Sequence, residues 1–342
     1  MKKFLIPEAG QFYKANLHCH TTVSDGNLTP EEVKALYKGN GYSVVAFTDH
    51  NVLIPHPELE DRDFLALHGV ELSVYSEGSY SQRKACHFCL IAREPENFVQ
   101  PCYHRTKYCA GANTERHRPN VRFDESLPDY EREFTPACIS DMMQTAREKG
   151  FFVTYNHPTW SGETPDEYCN YHGMHAMEIF NRSSWTLGYD EENDKEYDRI
   201  LRSGERIFAV ATDDNHNKHP GVPNRWDSFG GFTVIKAEKL EYKTVTDALA
   251  AGHFYASQGP EIHALWVEDG QIHITCSQAE RIVLCTGGRA NRVACGENGE
   301  PVTGAAFELK PEQNYVRLMV YGKDGKWAAT NAYFLDELLA EG

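Results

Sequence analysis

The sequence predicts an α/β fold, a distorted barrel of about seven strands followed by a small antiparallel β domain. Three observations predict it. Up to Gly252, strand-like apolar runs alternate with helix-like segments, the pattern of a largely parallel sheet. Side chains of metal-binding type sit at or just after the ends of several different strands. An open sheet places ligands at one switch point, whereas a barrel gathers all its strand ends around one axis. Beyond Gly252 the runs become short and alternating, separated by Asp-Gly, Gly-Gly and Gly-Glu-Asn-Gly turns, which are hairpin signals.

The chain is organised around residues 16–50. A strand at 15–20 carries His18 and His20 on one face and Cys19 on the other, because side chains alternate along a strand. Two imidazoles so placed form a pincer for a transition metal. Asp25 follows in the Ser24-Asp25-Gly26 turn. A helix then starts at Thr29 as N-cap, with Pro30 in its first turn and Glu32 closing a capping box. Val33, Leu36 and Tyr37 form its buried stripe, and Gly39-Asn40-Gly41 ends it. The strand at 43–48 again finishes in ionisable residues, Asp49 and His50.

Further strands follow at 64–72, ending on Glu71, and at 85–92, with His87 at its start. A long polar stretch at 93–134 has little periodicity. A helix at 136–149, N-capped by Thr135, packs Ile139, Met142, Met143 and Ala146, and the strand at 151–155 runs into Asn156-His157-Pro158. A strand at 175–180 precedes Asn181-Arg182, and an acidic helix spans 192–203. The strand at 207–211 leads into Thr212-Asp213-Asp214-Asn215-His216. A strand at 230–235 and a short helix at 245–251 complete this half, and 254–260 reads as a linker or a closing strand. The tail runs fall at 263–267, 271–276, 282–285, 315–321 and 332–335.

Thirty-four basic against 50 acidic residues give a net charge of −16. A protein that tracks duplex nucleic acid would carry a basic footprint, so that class is disfavoured. No apolar run is long enough for a membrane span, and the apolar run after the two N-terminal lysines is too short for a signal peptide. The ten cysteines lack framework spacing and read as reduced, mostly buried thiols of a cytoplasmic protein. Cys86-His87-Phe88-Cys89 invites a redox or zinc reading, but a strand puts its two thiols on opposite faces.

The combination HCH, SDG, TPEE, GY and AFTDH resembles the PHP family of metal-dependent hydrolases, named for polymerase and histidinol phosphatase. It covers about the first 260 residues in ordered pieces. The tail is similar to that of PHP proteins related to a carbaryl hydrolase. The resemblance implies a TIM-like (β/α)7 barrel over 1–260, interrupted by an insertion at about 93–134, and a β domain over 261–342. It also implies a trinuclear site. His18, His20 and Asp214 would hold one ion. Glu71 would bridge it to a second, held also by His87 and His157, and Asp25, His50 and His216 would hold a third. Imidazole and carboxylate donors together suit zinc, manganese or iron better than calcium. Asp49 and Asp213, each beside an assigned ligand, are candidates to fix an imidazole from behind. Asp213 is also an alternative to Asp214 as ligand.

Metal-dependent hydrolysis of a small phosphorylated substrate is the expected function. A hydroxide bridging the Glu71-linked ions would be the nucleophile, and Asp214 would shuttle the proton. Arg182 and Arg225, at or facing strand ends, are the candidates to grip phosphate. The basic run at 105–122 would focus an anion or else pair with acids elsewhere. Trp160 reads as packing or a substrate wall. Hydrolysis of an ester, carbamate or amide is the alternative, and a non-catalytic metal-binding protein is a third.

Overall fold

The computed structural model describes residues 2–339. In chain order its first half comprises β1 (Lys3–Phe4), β2 (Gln11–Asn16), α1 (Pro30–Gly39), β3 (Val44–Phe47), β4 (Leu65–Tyr75) and β5 (Ala85–Ala92). Then come α2 (Ala112–His117), α3 (Pro136–Glu148), β6 (Phe151–Tyr155), α4 (Pro158–Ser161) and α5 (Pro165–Tyr168). They are followed by β7 (Ala176–Asn181), α6 (Arg182–Thr186), α7 (Asp194–Ser203), β8 (Phe208–Thr212), β9 (Phe232–Ala237) and α8 (Tyr242–Ala250).

Local chemistry sets these elements as the sequence suggests. Thr29 accepts from the Glu32 amide at 3.3 Å while Glu32 accepts from the Thr29 amide at 2.8 Å, so the capping box is complete. Thr135 caps α3, whose Ile139, Met142, Met143 and Ala146 are buried against β5 and β6 in the central core.

Strands β2 to β8 lie side by side in sequence order. The pairs β2/β3, β3/β4, β6/β7 and β7/β8 are parallel, but β5 is antiparallel to both its neighbours. The sheet is therefore mixed rather than parallel. Because β5 runs backwards, its first residues lie at the end of the sheet where the parallel strands finish. That places His87 opposite Ser73, near the end of β4.

Among the described residues no barrel is closed by a continuous ladder. β8 and β2 have no ladder between them. Their extensions meet at a single bridge, Cys19 with Asn215, made by His20 N–H to the Asn215 carbonyl at 3.0 Å and Asp214 N–H to the His18 carbonyl at 3.1 Å. Asn16 adds a side-chain bond to Asn215 at 2.8 Å. β9 packs antiparallel on the outer edge of β2 and touches β8 through Thr233, whose hydroxyl bonds the Ala211 carbonyl at 3.1 Å.

The tail adds β10 (Phe254–Ser257), β11 (Ile262–Glu268), β12 (Gln271–Ala279), β13 (Arg281–Thr286), β14 (Arg292–Cys295) and β15 (Val302–Glu308). β16 (Tyr315–Tyr321), β17 (Trp327–Thr330), β18 (Tyr333–Phe334) and a short helix α9 (Leu335–Leu339) end it. The run read as a strand at 332–335 is thus split between β18 and α9. β11, β12 and β15 form an antiparallel sheet that β1 joins. Its Ile262, Leu265, Ile272 and Ile274 pack on Ile282, Leu284, Leu318 and Val320 of the facing strands in one apolar cluster. Those facing strands continue the main sheet, since β17 pairs with β10 and β10 with β9. The ladder therefore crosses position 260 unbroken. Arg317, 2% exposed, clasps Asp198 of α7 at 3.0 Å and fastens the tail to the first half.

Among the described residues no helix is long and apolar enough to cross a membrane. All ten cysteines are unpaired.

Candidate metal centre

The ends of six strands deliver the nine ligand-type side chains. His18 and His20 leave β2 on one face, while Cys19 turns into the apolar cluster of Val33, Tyr37 and Phe47. His50 follows β3, Glu71 lies within β4, His87 opens β5, His157 follows β6, and Asp214 and His216 follow β8. Asp25 comes from the loop after β2. His157 and Asp214 sit at positive φ, +28° and +52°, which is costly for residues with a Cβ and re-aims the chain just past the strand end.

Their donor atoms form four overlapping groups: His20, Asp25, His50 and His216; His18, Glu71 and His157; His18, His20 and Asp214; His50, Glu71 and His87. His18, His20 and Asp214 fall in one group, and Asp25, His50 and His216 in another that includes His20. His87 is grouped with His50 and Glu71 rather than with His157.

The spacing is that of ligands around cations. Two donors each about 2.1 Å from one ion lie roughly 3.0–3.4 Å apart at octahedral or tetrahedral angles. His18 Nε2 is 3.0 Å from His20 Nε2, and 3.2 Å from both Glu71 Oε1 and Asp214 Oδ1. Glu71 Oε1 is also 3.2 Å from His87 Nδ1 and 3.4 Å from His157 Nε2. His18 Nδ1 faces Glu178 Oε1 at 2.7 Å, so its proton is held there and Nε2 offers a lone pair to the site. Lone pairs then face lone pairs. His50 Nδ1 and Glu71 Oε2 are 2.8 Å apart, yet both are buried without a hydrogen bond of acceptable direction. Such a pair needs a positive charge between its members.

Electrostatics give the same answer. Burial opposes protonation of His18, but Asp214, Glu71 and Glu178 overcome it and raise its pKa well above the ordinary histidine value. Burial opposes protonation of His216 too, and Asp25 pushes it up to about 9. Burial favours the neutral form of Glu71, yet His87, His18 and His50 hold it well below the carboxylate range. His20, buried beside His50 and His216, is lowered to about 4. The cluster draws in positive charge wherever a carboxylate adjoins an imidazole. Divalent cations fit it.

The supporting shell differs from the expected one. Asp49 touches no imidazole. It accepts from the Thr21 and Ser24 amides at 2.8 and 3.0 Å and from both their hydroxyls, shaping the loop that carries Asp25. Asp213 accepts from Tyr37 and from the Phe229 and Gly230 amides, each at 2.8 Å. It knots the end of β8 to the 229–231 loop and is not in any of the donor groups among the described residues. The group behind an imidazole is Glu178, a fully buried acid inside the apolar strand β7. Thr212 donates to its Oε1 at 2.6 Å, and Asn181 and the His157 amide donate to its Oε2 at 2.9 and 3.1 Å. Asn156 steadies Glu71 Oε1 at 2.9 Å. Sequence reading missed Glu178; the one signal was an ionisable residue amid otherwise apolar neighbours.

The centre opens into a cavity of about 360 Å³ lined by seven of the nine ligand-type residues and by Tyr75, Trp160, Lys218 and Arg225. Trp160 sets its ring against both His157 and His87, with centroids 4.9 and 5.2 Å apart, and lines the cavity as well. Tyr75 meets His87 Nε2 at 3.2 Å. Arg225 lines the cavity from an exposed loop beside His219. Arg182 is not among the lining residues. Its guanidinium pairs with Glu191 at 2.9 Å and stacks on Trp185. Three members of the basic run are paired with acids: Arg105 with Asp129, Lys107 with Glu131 and Arg118 with Glu115, each at 2.7 Å.

Comparisons with protein-family models and with curated proteins gave no match. Among solved structures, the chain is similar to a two-domain protein from Bacteroides vulgatus containing a predicted PHP-like metal-dependent phosphoesterase. That likeness has 13% identity and a TM-score of 0.43, covering 97% of this chain and 98% of the other. A protein from Bifidobacterium adolescentis described as a candidate metal-dependent phosphoesterase shares 15% identity at a TM-score of 0.40, covering 72% and 98%. An amidohydrolase from Chromobacterium violaceum shares 17% at 0.35, covering 60% and 88%.

Proposed function

We infer that this chain is a PHP-type metal-dependent hydrolase, acting on a small phosphorylated substrate at a centre for three divalent ions. The observation that carries this reading is the convergence of His18, His20, Asp25, His50, Glu71, His87, His157, Asp214 and His216 into overlapping groups at one end of the sheet. Zinc, manganese or iron suits the mixed donors. Such ions, when bound, supply Lewis acidity and bring the pKa of a bound water down to about 7 in favourable sites.

The chain's own residues do the rest. Glu71, with one oxygen toward His18, His87 and His157 and the other toward His50, would hold neighbouring ions together. Burial would favour protonated Asp214, but His18, His20 and His216 keep it ionised; it stands at the cavity wall, and we assign it the proton shuttle on that position. Arg225 and Lys218 bring positive charge to the mouth of the cavity in a chain that is acidic overall. Arg182, tied to Glu191, has no part in this proposal. We assign residues 1–260, with the 93–134 insertion, to the catalytic unit and 261–342 to a β unit that donates no ligand. That division is one of function; the ladder itself is continuous.

The neutral-ester, carbamate or amide alternative draws on the aromatic side of the cavity, Tyr75, Tyr80 and Trp160. A paired assay separates the readings. Metal-loaded wild type and Arg225→Ala are compared on a phosphate-ester panel and on a carboxylic-ester and carbamate panel. A charge-assisted hydrogen bond is worth about 1.5–3 kcal/mol, so the variant is expected to lose about ten- to a hundredfold on phosphate esters and little on neutral substrates. Robust turnover of the neutral panel with phosphate esters untouched gives the site to the alternative.

A further inference from the structure

The 93–134 insertion has a buried face as well as a charged one. Its Tyr103, Cys109 and Val121 form one apolar cluster with Val23 and Val52. Val23 stands two residues before Asp25, and Val52 two residues after His50. The cluster therefore grips the two loops that bring Asp25 and His50 to the metal centre.

Two polar side chains of the insertion complete the grip. Gln100 is 2% exposed; its Oε1 accepts from the Leu53 amide at 2.8 Å, and its Nε2 donates to the Asn51 carbonyl at 3.0 Å. Gln100 is held in turn by its amide bond to the Arg122 carbonyl at 2.8 Å. Arg132 donates from one nitrogen, Nη1, to Asn51 Oδ1 at 2.5 Å and to the Ser73 carbonyl at 2.9 Å. Among the described residues it has no carboxylate partner, unlike Arg105 and Arg118. Asn51 follows His50 and holds φ +58°, a left-handed turn that asparagine accommodates better than most residues with a Cβ. His18, His20 and Asp214 lie directly beside the β8–β2 bridge, Glu71 and His87 lie within strands, and His157, just past β6, has its amide held by Glu178 at 3.1 Å. Asp25 lies on a loop, and His50, past the end of β3, is joined to β4 by one isolated bridge at Glu71, so both draw rigidity from what packs behind them.

We propose that the insertion is a brace for one metal position, that of His20, Asp25, His50 and His216, with Gln100 and Arg132 as its positioning residues. It holds two loop ligands at the separation an ion requires, and so sets the affinity of that position independently of the other two. The proposal rests on the three-ion reading.

Gln100→Leu removes both bonds at nearly constant volume, and Arg132→Met removes the clamp while keeping the aliphatic stem. Metal content of wild type and variants is measured by elemental analysis after dialysis against graded zinc or manganese, alongside thermal melting. Changes behind a ligand typically weaken metal binding 10–100-fold. Each variant is therefore expected to lose one ion per chain at concentrations that saturate wild type, with that ion's affinity down at least about tenfold and the other two retained. Because one nitrogen makes both Arg132 bonds, Arg132→Lys is expected to restore the ion, which a loss of general stability would not predict. Should Arg132→Met fail to fold, Gln100→Leu carries the test. Three ions held at wild-type affinity in both variants, or equal weakening of all three, overturns the brace. Fewer than three ions in wild type overturns the three-ion reading, and the brace with it.

Discussion

Glu71→Gln is expected to lose at least one metal ion and nearly all hydrolysis while the chain stays folded. Glu71 is wholly buried, and its two oxygens lie within 3.5 Å of donor atoms on His18, His20, His50, His87 and His157. Gln keeps the shape and removes the negative charge that lets cations sit close together. One amide end would also present N–H groups to imidazole nitrogens that need a cation. A residue behind a ligand is worth 10–100-fold, so a ligand shared between positions should exceed about a hundredfold. The fold has little reason to fail, because the backbone bonds of β4 to β3 and β5 do not involve this carboxylate. The check is metal content, far-UV circular dichroism and turnover on one preparation. Full activity at normal metal content would remove Glu71 from the role of bridge.

Chelation is the second large effect. Stripping the ions is expected to abolish turnover and to lower the melting temperature, both reversibly. Without cations, His20 lies buried beside His50 and His216, and Glu71 Oε2 and His50 Nδ1 lie buried without a hydrogen-bond partner. Binding at a hundredfold excess over Kd stabilises a fold by about 2.7 kcal/mol per site. At roughly 2–4 °C per kcal/mol for large domains, each emptied site should cost several degrees. A melting curve unchanged by a strong chelator, with activity intact, would show that the cluster is not a metal centre.

Much of this was legible in residues 16–50, because the relevant physics there is local. The capping box of Thr29 and Glu32, the shared face of His18 and His20 and the turn at Asp25 all follow from short-range rules. Other features depend on distant partners. The reversed direction of β5 could not be read, since side chains alternate identically in parallel and antiparallel strands; only pairing with β4 and β6 reveals it. Glu178 serves His18 across 160 positions of chain, and nothing beside it in sequence names that partner. Arg182 follows a strand end as a phosphate-binding residue would, but proximity in sequence does not say whether a side chain turns to the cavity or to Glu191. The unbroken ladder past 260 rests on Tyr255 pairing with Thr330, a register no local pattern encodes.

Anomalous X-ray diffraction from metal-loaded crystals, at the absorption edge of the loaded ion and with inorganic phosphate present, tests the central claim most directly. The account predicts three anomalous peaks. One should lie among His18, His20 and Asp214, one beside Glu71 with His87 or His157, and one among Asp25, His50 and His216, with phosphate between the ions and Arg225. A single peak, or peaks away from these nine residues, would contradict it.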